Sequence, residues 1–195
     1  MAKTQILVIH GGETFDTYED YVQYLRDYPI ERILKKNETK RWKDRLQDDL
    51  GDHYEVIMPT MPSARNAKYE EWQIWVDKYL PILHDNIVLI GHSLGATFLA
   101  KHLSEKEFPV EIAQLYLIAG CYDCASGFEL GNSLEKIEQQ IKKIYIYHSM
   151  DDPVVDFADA QKFKEELPTA KLVTFTDRGH FLDEQFPELL VSIVQ

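Results

Sequence analysis

A serine hydroxyl is a weak nucleophile until a base takes its proton, and a few residues of this 195-residue chain stand in the order that such chemistry uses. Ser93 is the middle residue of Gly91-His92-Ser93-Leu94-Gly95. An apolar, β-branched run, Ile87–Ile90, precedes that pentapeptide, and an apolar helical pattern, Ala96–Lys101, follows it. G-x-S-x-G between a strand and a helix is the nucleophile-elbow pattern, a turn so tight that side chains at the two glycines would strike a neighbouring strand or helix. The same five residues could close an ordinary glycine-rich turn; the flanking strand and helix favour Ser93 as a nucleophile. His180, in the Gly179-His180 turn after the last apolar run, is the candidate base. An imidazole in that role needs a carboxylate to hold its tautomer and stabilise the imidazolium, and Asp151 or Asp152 can supply it. Ser, then Asp, then His is the chain order that G-x-S-x-G enzymes show. The tetrahedral oxyanion of acyl transfer calls for two N–H donors. Leu94, after the serine, offers one, and Gly12, in His10-Gly11-Gly12 at the end of the first strand, offers the other.

The remaining reactive residue types have plainer readings. His10, His92 and His148 fall at strand ends, as packing or hydrogen-bonding residues, and His53, His84 and His102 fall on charged, exposed segments. Asp151 or Asp152 could instead cap the following helix, and Asp183 and Glu184 suit the start of the last one. Trp72 and Trp75 read as core packing. Cys121 and Cys124 are spaced C-x-x-C but sit in a loop, not at a helix start, and read as two free thiols. Two sulfurs cannot complete a four-ligand zinc site, and no histidine pair stands nearby. No metal is expected.

These residues must be positioned by strands at Gln5–His10, Tyr54–Met58, Ile87–Ile90, Gln114–Ala119, Ile144–His148 and Leu172–Phe175. Helical patterns lie between them. Two fall within residues 13–52, separated by Pro29, with Gly51 closing the second. The others run from Tyr69 to a stop at Pro81, through Ser133–Lys142 and Phe157–Leu167, and over Pro187–Val194. Short, nearly all-apolar strands alternating with helices predict an α/β fold: a parallel sheet of about six strands covered on both faces. Ligands bind such a sheet at the C-terminal strand ends, where His10-Gly11-Gly12, Ser93, Asp151-Asp152 and Gly179-His180 all fall. No Pro/Gly/Ser-rich linker divides the chain, so residues 1–195 are expected to form one domain. The net charge of −12 argues against a nucleic-acid or anionic membrane partner. No apolar run approaches the ~20 residues of a membrane span, and Ile6–Ile9 is too short for a signal-peptide core, so a cytoplasmic location is expected.

Gly91–Gly95, His148-Ser149-Met150-Asp151-Asp152-Pro153-Val154 and Arg178-Gly179-His180-Phe181 together resemble the α/β-hydrolase signatures. More narrowly, they resemble the small serine hydrolases of the retinoblastoma-binding-protein and YdeN family, to which Met58–Ala64 with Trp72 is also similar. The resemblance covers the first strand and everything from Tyr54 onward. It implies a Ser-His-Asp triad and an acyl-enzyme, hydrolysis of small esters, thioesters or amides, no cofactor, and in some members a protein-binding role. The triad acid of that family's motif is the Asp directly before Pro, here Asp152. Adjacent side chains in a turn point apart, which leaves Asp151 in a supporting or solvent-facing place. Residues 13–52 depart from the family as a longer, more charged insert. Their apolar residues Tyr18, Tyr21, Trp42 and Leu46 are expected to pack on the sheet, leaving a shallow cleft suited to short-chain substrates. The rival reading is an interaction protein that keeps the fold and binds a protein partner through the insert. Covalent labelling by a fluorophosphonate separates the two. An acyltransferase or perhydrolase would use the same triad.

Overall fold

Strand residues that alternate between two apolar layers need cover on both, and β1 (Thr4–Ile9) is built this way. Ile6 and Val8 face one layer and Leu7 and Ile9 the other, all four without solvent exposure. The computed structural model describes residues 3–35, 40–123, 125–131 and 133–195. With β2 (Tyr54–Ile57), β3 (Ile87–His92), β4 (Ile112–Ile118), β5 (Ile144–Ser149) and β6 (Lys171–Phe175), β1 forms one parallel sheet in the order β2-β1-β3-β4-β5-β6. One face is covered by α4 (Tyr69–Asp77), α5 (Leu94–Glu105), α6 (Glu135–Gln140) and α7 (Phe157–Glu166), through Trp72, Phe98, Ile137 and Phe163 among others. The opposite face carries α3 (Trp42–Leu50) and α8 (Pro187–Ile193), through Trp42, Leu46, Leu189 and Ile193. This is the doubly covered α/β sheet that the strand and helix alternation predicts.

Element bounds differ from the expected ones mostly by one to three residues at the ends, and several local features differ as well. Pro29 does separate two helices, but a further one, α2 (Ile30–Lys35), starts directly after it, since proline suits a helix entrance. Pro81 does not stop the Tyr69 helix; α4 ends at Asp77 and Pro81 lies within a 3-10 turn, Leu80–Ile82. Asp183 and Glu184 precede α8, which opens at Pro187. Residues 13–52 behave as two pieces. Its α3 packs on the sheet as expected, whereas α1 (Tyr18–Asp27) buries no residue and Tyr18 is 69% exposed. Tyr21 and Tyr24 of α1 pack instead against Phe15, with ring centroids 5.6 and 5.0 Å away. Trp75 is 37% exposed while Trp72 is fully buried, so only one of those two tryptophans is core. His102, expected on the surface, is 3% exposed between Phe98 and Phe108. Asp156, not Asp151 or Asp152, caps α7 by accepting the N–H of Ala158.

Candidate active site

The turn between β3 and α5 sets Ser93 at φ 56° and ψ −127°, a backbone conformation that side-chain-bearing residues rarely adopt. The surroundings enforce it. Ser93 N–H donates to the Ile118 carbonyl at 2.8 Å, and the Ser93 carbonyl accepts from Ala96 N–H at 2.8 Å. A Cβ on Gly95 would lie 2.1 Å from the carbonyl oxygen of Ile9, and one on Gly91 would lie 2.5 Å from Ala96 Cα. Both positions therefore exclude any residue but glycine. Leu94 is the first residue of α5, so its N–H has no acceptor within the helix.

Beside Ser93 runs the turn after β1. A Cβ on Gly11 would come within 2.9 Å of Ser93 Cβ, and one on Gly12 within 3.2 Å of Leu94 Cδ2. Gly12 also fits against the Ala64 carbonyl, which accepts the N–H of Glu13 at 2.8 Å. His10 fixes the Gly11–Gly12 peptide. Its Nε2 accepts from Met61 N–H at 2.9 Å, so Nδ1 carries the proton and donates to the Gly11 carbonyl at 2.7 Å. In a trans peptide that carbonyl and the N–H of Gly12 point opposite ways, so holding one aims the other.

The two neighbouring aspartates diverge. Asp152 accepts from His180 Nδ1, at 2.8 Å to Oδ2 and 3.1 Å to Oδ1. Its Oδ1 also takes the N–H groups of Val154 (2.8 Å) and Val155 (3.1 Å). Burial pushes the Asp152 carboxyl up, but the His180 hydrogen bond, those backbone donors and the imidazole charge together hold it below its ordinary value. Asp151 turns away. Its Oδ1 accepts from the Ser149 hydroxyl and from Gly179 N–H at 3.0 Å, and these bonds, led by the Ser149 one, lower its pKa. Asp151 thus holds the backbone next to His180, while Asp152 holds the ring. His148 lies against the same carboxylate, 3.8 Å from Asp152 Oδ2, and its Nε2 is 3.0 Å from the Val155 carbonyl. Among the described residues no hydrogen bond joins Ser93 Oγ to His180, so the structure brings Asp152 and His180 into contact and leaves the serine unlinked to them.

The loop that carries His180 is strained at Phe181, with φ 52° next to a Gly179 at φ 46° that adopts it freely, and its carbonyls are gripped from outside. His92 Nε2 meets the His180 carbonyl at 2.9 Å. Trp42 Nε1 donates to the Phe181 carbonyl at 2.9 Å and Trp42 N–H to the Asp183 carbonyl at 2.9 Å. Lys43 Nζ lies 2.9 Å from His92 Nδ1. Sequence reasoning gives His92 a general packing or hydrogen-bonding role and gives Lys43 none. Only the position of His92 at the end of a central strand hints at this contact. Cys121 is not a free thiol but is disulfide-bonded, against the expectation; Cys124 lies outside the described residues. Among the described residues no three His, Cys, Asp or Glu side chains cluster as metal ligands. No described helix is long and apolar enough to cross a membrane.

A family model described as serine hydrolase matches residues 33–189, most of the chain and all of the residues above except the β1 turn. The chain belongs to the serine hydrolase family. Within that family of enzymes it is 23% identical over 162 residues to YdeN of Bacillus subtilis, covering 77% of this chain and 83% of YdeN. It is 28% identical over 148 residues to the serine hydrolase RBBP9 of Rattus norvegicus, covering 70% and 75% of the two. The crystal structure of the ydeN gene product superposes with a TM-score of 0.71 at 18% identity, over 98% of this chain and 97% of that one. Est1E from Butyrivibrio proteoclasticus gives 0.60 at 15%, over 98% and 85%. At such identities these two structures share the α/β-hydrolase fold with this serine hydrolase.

Proposed function

We propose that this serine hydrolase cleaves small esters, thioesters or amides through an acyl-enzyme, with Ser93 as nucleophile, His180 as base and Asp152 as its carboxylate partner. His180 Nε2 takes the Ser93 hydroxyl proton as Oγ bonds to the substrate's carbonyl carbon. The carbonyl oxygen becomes an oxyanion that accepts from the N–H groups of Leu94 and Gly12. The C–O, C–S or C–N bond to the leaving group then breaks, and the leaving group departs with the proton from His180. Water repeats the sequence: His180 takes its proton, the hydroxide attacks the acyl carbon, and Ser93 recovers its proton as the acid leaves. Asp152 stays ionised throughout and stabilises the imidazolium.

The observation that carries this reading is the 2.8 Å contact of His180 Nδ1 with Asp152, because it leaves Nε2 as the basic nitrogen. The ring so held lies 5.1 Å from that of His92, the neighbour of Ser93. A surface cleft of about 390 Å³, lined by Tyr21, Ser63, Ala64, Arg65, Asn66, Lys68 and Glu71, includes none of Ser93, Asp152 and His180, so chain-length preference is read from kinetics on p-nitrophenyl esters of increasing length. The test is labelling by a fluorophosphonate together with hydrolysis of p-nitrophenyl acetate. Wild type should be labelled and active, while Ser93→Ala should lose label and several orders of magnitude in kcat with an unchanged melting curve. Equal turnover by the variant would remove the reading.

A further inference from the structure

We propose that Lys43 and His92 form a positioning pair through which helix α3 holds His180 in place. The inference rests on the triad reading above and gives α3 a part in it. His92 is 2% exposed, and both of its ring nitrogens are engaged. An ammonium has protons to give and no lone pair, so Lys43 Nζ at 2.9 Å must donate and His92 Nδ1 must accept. The ring proton therefore sits on Nε2 and is donated to the His180 carbonyl at 2.9 Å. That carbonyl belongs to the residue before Phe181, whose φ of 52° is a conformation the loop would leave if released. Trp42, the residue before Lys43, takes the next carbonyl at Phe181 and a further one at Asp183. The N-terminal turn of one helix thus holds the loop directly at two points and, through His92, at the residue that matters most.

The charge state of His92 is part of the device. Burial chiefly, then the nearby charges of Lys43, His180 and Arg41, hold its pKa well below the ordinary value, against the bond to the His180 carbonyl. A neutral His92 places no second cation beside the imidazolium that forms at His180. Without the Lys43 ammonium, Nδ1 would be free to take the ring proton, and the other tautomer has no proton to give the His180 carbonyl.

The test compares His92→Phe, His92→Gln and Lys43→Met with wild type. His92→Phe should lower kcat roughly 10- to 100-fold at near-constant KM, because a misplaced base acts on the chemical step. His92→Gln, whose amide can donate to the same carbonyl, should recover most of that loss. Lys43→Met leaves the buried ring in place and should lower kcat less. Histidine ¹⁵N–¹H correlation spectra should show His92 as the Nε2–H tautomer in wild type and a growing Nδ1–H fraction in Lys43→Met. Full activity in His92→Phe, equal damage from Gln and Phe, or an Nδ1–H tautomer in wild type would each overturn the pair. If His92→Phe does not fold, Lys43→Met decides alone: unchanged kcat with an unchanged tautomer sinks the proposal. A wild type that resists the fluorophosphonate instead removes the triad reading, and the tautomer measurement still judges the contact, since it needs no turnover.

Discussion

Asp151 and Asp152 sit side by side at the end of β5, yet one carboxylate reaches an imidazole and the other a hydroxyl and a backbone N–H. Their roles should separate by mutation. Asp152→Asn leaves the shape but presents an amide to His180 Nδ1, favouring the wrong tautomer, a change that has lowered kcat ~10⁴-fold in a comparable triad. Asp151→Asn should lower kcat less than tenfold while loosening the loop at Gly179. Steady-state kinetics on p-nitrophenyl acetate checks both, and the reverse order of damage would reassign the acid. At this scale the sequence was informative where chemistry is local. Ser93 stands in a pentapeptide whose glycines are dictated by the 2.1 and 2.5 Å at which a Cβ there would meet its neighbours, and the triad acid could be narrowed to two aspartates. Lys43 was invisible because its meaning depends on a residue 49 positions away in the chain.

The elements themselves were legible from period and composition, since β1 and β3 are buried on both sides along the unbroken apolar runs Ile6–Ile9 and Ile87–Ile90. What the pattern could not supply was the partner of each apolar stripe. Trp42 and Leu46 of α3 and Tyr18 and Tyr21 of α1 share helical spacing, but only the former meet the sheet. The difference lies in the loop carbonyls waiting for α3, which no spacing reports. Trp42→Phe keeps an aromatic ring against Phe186, 5.7 Å away, but strips the donor from the Phe181 carbonyl. Leaving that buried acceptor unpaired should destabilise the fold by about 1–3 kcal/mol, seen as a lower urea midpoint at constant slope. If α3 grips the loop as described, kcat falls with it; a lost midpoint with full kcat would make Trp42 a packing residue only.

At the scale of the whole molecule, His92 and His102 take no proton readily while the fold is intact. His92 and His102 both have pKa values lowered chiefly by burial, with His102 stacked 5.5 Å from Phe98. Below about 6.5 the unfolded chain protonates these residues and the native state does not. Unfolding therefore takes up protons, and stability falls as pH drops below that point, by at most about 1.4 kcal/mol per pH unit for each histidine. Above it the contribution is complete and flat. Urea unfolding between pH 8 and pH 5 should show this slope, and His102→Gln should reduce it while leaving the plateau level. An identical slope in that variant would exclude His102 as one of the groups responsible.

The Trp42–Phe181 hydrogen bond joins residues 139 apart. Made by a ribosome, α3 emerges early, with a tryptophan that ends 2% exposed but whose partners Phe181 and Phe186 are still unsynthesised. The sheet from β1 through β5 can assemble around Ser93 in the meantime, since its pairings involve only earlier residues. On the triad proposed above, the nascent chain then holds its serine elbow before the proposed base, His180, has been made, beside an apolar face of α3 that is still uncovered. Turnover then begins only once the stretch carrying His180 has docked on α3, so the serine stays silent until its base is in place.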